Sequence, residues 1–372
     1  MKKTNRLFAL ILAIVMIASL PACSNHNSKA AQQLFASIAA ENPFSEGLAW
    51  TGSMGGAAVI SDVGKVVYQS GNKLDKSVPF KDGVSYYRSD KDYYIVDKNG
   101  KVTYQTPPYD SKHYEQILAY GDGKFLMYRY SDEFGSDAKG SVGTVDKNGK
   151  EKSQFVSVSR VDSTVSRYLG DGVFLITSDT TFDTTDGGVK NCPGKKFGDV
   201  SENGKIWIEV SDYSMGIYDL HTAEYTKIEG HTGKNHSIVN ATGIYDESYY
   251  NLNGEEIANI QLYKDKVIAR SEFSKDGYSP LVLSDGGTYF TYVNTAGEEQ
   301  FKPISVSGTY SIHGDLIAIG NRDSGIVTIY DHTGQEKYHV ENVTEIEDME
   351  LYDDYFITGS ASKYTRRYYF FR

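Results

Sequence analysis

From residue 44 to the C-terminus, short apolar runs rich in β-branched and aromatic residues alternate with polar turns. Tyr93-Tyr94-Ile95-Val96 and Val102-Thr103-Tyr104 are examples, and runs of this kind predict strands. The apolar spacing of 3.6 that marks an amphipathic helix is missing from this region. The turns fall into register. An acidic or amide residue, often followed by Gly, precedes one strand of each unit: Glu46, Asp82, Asp122, Asp171, Asn203, Asp265, Asp315 and Asp354 fill this column. Gly47, Gly83, Gly123, Gly172 and Gly204 follow the first five. The column covers 308 residues in seven intervals, a mean period of 44. A repeat of that length predicts stacked supersecondary units.

Each unit carries a second landmark, an apolar run ending in Asp or Asn with a Gly shortly after. It is seen in Val96-Asp97-Lys98-Asn99-Gly100, Val145-Asp146-Lys147-Asn148-Gly149, Leu252-Asn253-Gly254, Val293-Asn294-Thr295-Ala296-Gly297 and Tyr330-Asp331-His332-Thr333-Gly334. Asn-Gly between apolar runs predicts a type I′ hairpin turn, whose two central residues need positive φ. The spacing from column to Gly is 18 residues in both of the first two units (Glu46 to Gly64, Asp82 to Gly100). Room remains for one or two further strands per unit, and three or four antiparallel strands per unit describe a propeller blade. The expectation is an all-β fold, a β-propeller of seven or eight blades. A degenerate unit has room to hide between Asn203 and Asp265. The last residues, Arg366-Arg367-Tyr368-Tyr369-Phe370-Phe371-Arg372, read as a strand that would be an aggregation hazard if left unpaired. Closure of the ring onto residues 44–69 is expected to cover it.

Phe44-Ser45-Glu46-Gly47-Leu48-Ala49-Trp50, followed by Asp62-Val63-Gly64-Lys65, resembles a WG repeat. Tyr94 to Val102 and Gly143 to Lys150 resemble its hairpin half, and Lys266, Leu316 and Tyr355 stand where later units would carry Gly. Similarity to this divergent WG-repeat family implies a repetitive β fold with binding roles. It carries over no catalytic residue.

The N-terminus changes the setting. Lys2, Lys3 and Arg6 precede an apolar stretch of 14 residues, Leu7 to Leu20. That is short of the ~20 residues of a membrane span and matches a signal peptide, residues 1–22. Leu20-Pro21-Ala22-Cys23 resembles a bacterial lipobox, which makes Cys23 the lipidation site and the membrane a partner through its lipid. The expected address is the extracytoplasmic face of the cell membrane, with a Gram-positive surface favoured over a Gram-negative periplasm. Residues 23–43 then form a tether, polar at first and helix-prone from Ala30 to Ala40, and residues 44–372 form one repeat domain.

The formal charge is −11, and loss of the three signal-peptide cations makes it −14. So acidic a chain repels nucleic acid, and no nucleic-acid partner is expected. Of the two cysteines, Cys192 has no partner once Cys23 is lipidated, and it is expected to be buried and inert.

Candidate chemistry is sparse. Asp179, Asp183 and Asp186 before Gly187-Gly188 superficially suggest a Ca²⁺ loop, but alternating acids closed by a Glu are missing, and a hairpin turn is the expected reading. The histidines His221, His231, His236, His313, His332 and His339 show no ligand spacing on one strand. Gly52, Gly55 and Gly56 link two predicted strands with no helix after them, so a loop is preferred to a phosphate cradle. No catalytic, metal or cofactor residue is nominated, and the ligand-binding residues are left unknown. The 30 tyrosines are the compositional excess. Pairs at Tyr86-Tyr87, Tyr93-Tyr94, Tyr249-Tyr250 and Tyr368-Tyr369 put one ring on each face of a strand, filling half-buried blade faces. Exposed rings would instead make a platform for sugars or proteins. Trp50 and Trp207 share a register three residues after the column Gly, which favours a role in the blade. The leading expectation is a non-enzymatic binding module with a protein or glycan partner. The alternative is an envelope hydrolase or lyase with its active site at the propeller axis.

Overall fold

The computed structural model describes residues 31–35, 43–52, 55–131, 140–211, 214–228, 236–245, 247–360 and 365–371. Cys23, the signal peptide, most of the tether and His231 lie outside them. The described strands form nine antiparallel sheets, eight of four strands and one of three. In chain order the blades cover residues 48–69, 76–105, 113–158, 167–191, 196–227, 236–259, 267–305, 309–340 and 348–371. The fold is a nine-bladed β-propeller, not one of seven or eight blades. Two blades occupy the interval from Asn203 to Asp265, where the degenerate unit had room. The extra unit shortens the mean repeat to about 38 residues between the turns at Glu46 and Asp354.

The core is distributed between the blades. Among the described residues, nine apolar clusters each join one blade to the next. Leu48, Trp50 and Val59 of blade 1 meet Phe80, Tyr87 and Val96 of blade 2. Val84, Tyr86 and Ile95 of blade 2 meet Ile117, Phe125 and Met127 of blade 3. The series closes where Tyr355, Ile357, Tyr368 and Phe370 of blade 9 pack on Phe44, Ala49 and Ile60. Both faces of a blade are therefore buried. This explains the tyrosine pairs: Tyr86 and Tyr87 point into different interfaces, as do Tyr368 and Tyr369. They fill blade faces as expected: both rings are buried at Tyr86-Tyr87 and Tyr368-Tyr369, while Tyr94 and Tyr250 are half-buried beside buried Tyr93 and Tyr249. Trp50 is fully buried and donates its indole N–H to Ser85 Oγ at 2.7 Å, and Trp207 is likewise fully buried against blade 6.

Ring closure differs from the expectation. The strand Thr365–Phe371 pairs on one side with Tyr355–Ser360 and on the other with Ala31–Phe35. The expected partner was residues 44–69, and Ala31–Phe35 was expected to be helical. Alanine-rich composition is a weak prior, and an edge strand in need of a partner overrides it. The propeller therefore takes its closing strand from upstream of residue 44.

The two landmarks exchange turn types. At Glu46-Gly47, Asp82-Gly83, Asp122-Gly123, Asp171-Gly172 and Asn203-Gly204 both residues have positive φ, so the acid column is where the type I′ turns lie. At Asp97 to Gly100 only Gly100 has positive φ. There Asp97 Oδ1 accepts hydrogen bonds from the N–H groups of Asn99 and Lys101, both at 2.9 Å, and the next strand pairs with a shift in register. Asp146, Asn251 and Asn294 repeat the arrangement. The type I′ expectation for Asn99-Gly100 is thus corrected. A side-chain oxygen closes the turn, and Gly follows it in the left-handed conformation. Asp265 is also out of column. It precedes the first strand of blade 7, Val267–Arg270, whose hairpin turn is closed by Gly277. Blade 6 fills the column with Asn240, φ 50°, and has no Gly after it.

Candidate functional site

Antiparallel connectivity gives the ring two different ends. The turns between first and second strands and between third and fourth strands lie at one end. The turns between second and third strands lie at the other, with the connections to the next blade. The first end carries the acid column and the Asp-x-x-Gly turns. Three of its acids hold the neighbouring blade. Glu46 Oε2 accepts the Gly83 N–H of the next blade at 2.8 Å, and Asp171 Oδ2 accepts the Gly204 N–H of the next at 2.6 Å. Tyr120 donates its hydroxyl to Asp82 Oδ2 at 3.1 Å. The column thus ties neighbouring turns together. His313 Nε2 and Asp353 Oδ1, 3.2 Å apart, join blades 8 and 9 at this end.

The proposed Ca²⁺ acids are not gathered at one point. Asp179 and Asp183 flank the strand Thr180–Asp183 at its opposite ends, about 13 Å apart at ordinary strand rise. Asp179 accepts from Thr177 and Thr180. Asp183, almost fully buried, accepts from Thr185, from Lys190 at 2.9 Å and from His221 at 3.0 Å. Burial opposes ionisation of Asp183, but these hydrogen bonds and the lysine outweigh it and hold the carboxyl well below the ordinary Asp range. Asp186 shares the same lysine at 2.9 Å. Asp183 and Asp186 build the hairpin turn, as expected, and Asp179 belongs to the preceding turn. His332 stacks on Tyr278 at 4.5 Å, and His339 lies 3.6 Å from Glu336 and 3.8 Å from Glu341. Gly56 sits in the loop joining two strands of blade 1, where a Cβ would meet Ser70 O at 2.1 Å. Cys192 is buried, and burial raises its thiol above the usual value.

The second end holds a pocket that sequence reasoning did not nominate. Between blades 2 and 3 a cavity of about 210 Å³ is lined by Arg88, Asp90, Lys91, Tyr93, Tyr109, Tyr114 and Gln116. Arg88 is the penultimate residue of the second strand of blade 2, Val84–Ser89, Asp90-Lys91 is the following turn, and Tyr109 belongs to the connection into blade 3. Tyr109 and Tyr114 have ring centroids 5.4 Å apart, and Tyr114 stacks on Tyr130 at 5.1 Å. The Lys91 ammonium sits 3.6 Å from the centre of the Tyr109 ring. Arg88 Nε is buried without a hydrogen-bond partner, and among the described residues no carboxylate pairs with the guanidinium. Directly across the sheet lies Lys76, whose ammonium donates to Ser163 O at 3.1 Å. Burial, and then the Arg88 charge, lower the Lys76 pKa. The Tyr93 phenol is raised by burial, with Arg88 opposing the shift. Chemically this is a small cationic recess with aromatic walls in a strongly acidic chain. Its sequence signal was faint: Pro107-Pro108-Tyr109 reads as an ordinary connection, and Arg88 as a strand residue.

No sequence-family profile matches the chain, and no curated protein matches it in sequence. In three dimensions it is similar to a eukaryotic initiation factor at 10% identity, over 90% of this chain and 93% of that one, with a TM-score of 0.55. It is also similar to BamB from Moraxella catarrhalis (12% identity, 92% and 98% covered, TM-score 0.41). A further similarity is to the WD40 domain of SCAP from fission yeast (9% identity, 91% and 96% covered, TM-score 0.44). At such identities the likeness is one of fold, and the class it defines is the β-propeller.

Proposed function

We propose that this chain is a lipid-anchored, extracytoplasmic propeller of WG-repeat type that binds a protein or glycan partner at the bacterial cell envelope. The observation that carries the address is the N-terminal pattern of Lys2, Lys3 and Arg6, an apolar stretch of 14 residues, and then Leu20-Pro21-Ala22-Cys23. Binding is supported by the contrast between the two ends. At one, carboxylates are consumed in holding turns; at the other, cations and tyrosine rings face an open recess. A net charge of −14 after loss of the signal peptide keeps the body of the chain away from anionic headgroups, so the lipid supplies membrane affinity and the recess supplies recognition.

Two measurements test the reading. Wild-type chain is expected in the membrane fraction and Cys23→Ser in the soluble fraction; membrane retention of the variant refutes the anchor. Full-length chain is expected to be retained on isolated cell envelopes in a saturable manner. Absence of saturable retention refutes the binding role.

A further inference from the structure

Lys76 and Arg88 are directly opposed across two strands, Arg88 partly buried and Lys76 exposed. Like charges in that position destabilise a sheet. The chain as a whole carries −11, so counter-charges are plentiful, yet among the described residues none pairs with Arg88. The nearby carboxylate of Asp75 is taken by Lys73 at 2.7 Å and by the Asp90 N–H at 2.5 Å. The Tyr93 phenol sits beside the guanidinium, but the buried Arg88 Nε–H has no partner and carries a desolvation penalty that an anion would relieve.

The other walls narrow the anion's nature. At about 210 Å³ the cavity is smaller than the ~300–1,000 Å³ typical of drug-sized ligands, so it suits one ring-sized group. Tyr109 and Tyr114 line the cavity with aromatic surface that suits an apolar C–H face, and Tyr93 and Gln116 add polar groups to the lining. Asp90 also lines the cavity. Its carboxylate would repel a bare dianion such as phosphate but accept hydrogen bonds from hydroxyl groups. A ligand with one carboxylate, several hydroxyls and a flat apolar face satisfies all of these walls together. A glutamate side chain of a peptide would satisfy only Arg88 and Lys91.

We infer that the recess between blades 2 and 3 binds a single acidic sugar residue of the uronic acid class. Its carboxylate lies against Arg88 and Lys91, its ring against Tyr109 and Tyr114, and its hydroxyls face Asp90 and Gln116. The inference rests on the envelope-binding reading and selects its glycan arm.

The test is a titration of the full-length chain in detergent with glucuronic acid, glucose, inorganic phosphate and a glutamate-containing tripeptide, followed by ligand-observed NMR. Glucuronate is expected to bind saturably and at least tenfold more tightly than the other three. Arg88→Gln is expected to weaken it at least tenfold. Tyr109→Ala and Lys91→Ala, at surface positions that do not threaten folding, are expected to weaken it several-fold with the melting temperature unchanged. No saturable glucuronate binding, or equal binding of glucose, overturns the inference. Phosphate or tripeptide binding as tightly as glucuronate also overturns it, the first indicating a plain anion site and the second a peptide site. Envelope retention separates the two readings. If Arg88→Gln is retained as well as wild type, the recess is not the recognition site although the module still binds. If wild type is not retained, the binding role itself falls.

Discussion

Replacing Gly100 with Ala separates two penalties that are usually confounded. Gly100 lies in the turn between the third and fourth strands of blade 2 with φ +81°, and a Cβ there would stand 2.2 Å from Val67 O and 2.9 Å from Val67 C of blade 1. The left-handed backbone alone costs an L-residue roughly 1–2 kcal/mol. Relieving the overlap means moving this turn away from a neighbouring main chain, and overpacking of that kind costs roughly 1–3 kcal/mol more. Gly100→Ala is therefore expected to destabilise by about 2–5 kcal/mol. Gly123 provides the control, because it has φ +67° and no atom within 4 Å of the added Cβ. Gly123→Ala should cost only the backbone term, about 1–2 kcal/mol. Equilibrium urea unfolding followed by tryptophan fluorescence suits the comparison, since the buried Trp50 packs in the interface between blades 1 and 2. Equal losses for the two variants would refute the inter-blade contact. No loss at either position would refute the left-handed turns as well.

Asp183→Asn removes a buried charge that pairs with Lys190 and His221, and a loss of roughly 2–4 kcal/mol at pH 7 is expected by chemical denaturation. Because the native carboxyl titrates below its ordinary range, its contribution is present above the unfolded value of about 4 and fades as pH falls toward the native value. The gap between variant and wild type should therefore narrow below about pH 4, and a gap that instead widens on acidification would contradict the assignment. Deleting residues up to 35 should expose the aromatic strand Thr365–Phe371 and yield an associating species in sedimentation velocity; a stable monomer of unchanged melting temperature would show that Ala31–Phe35 is dispensable to the ring.

Much of the ring was legible because blades repeat. Five column pairs from Glu46-Gly47 to Asn203-Gly204 share one turn, and a turn that needs two positive φ values strongly restricts its residues. The count failed where that restriction relaxes. In the first turn of blade 6 Asn240 alone is left-handed, and Ala241 follows it. Asp265 has the right residue type but sits in a connection, whereas the true turn of blade 7 ends at Gly277. The closing strand was misread because Ala31–Phe35 has no alternating pattern of its own, and its conformation is imposed by Thr365–Phe371. The recess was invisible for another reason. Arg88, Lys91, Tyr109 and Tyr114 come from a strand, a turn, a connection and the next blade, and no spacing rule links them. Only folding brings them together, and only burial distinguishes Arg88 from any other strand arginine.

The closing strand has a mechanical meaning. Ala31 pairs with Phe371, so the first and last described residues of the ring lie side by side at one seam on its outer edge. A pull on the N-terminus is delivered to this seam before it reaches any other blade. Seven residues lie between Cys23 and Ala31, a leash of at most about 29 Å when fully extended. With Cys23 lipidated as proposed, such a leash would meet the ring at this outer seam rather than at either of its open ends.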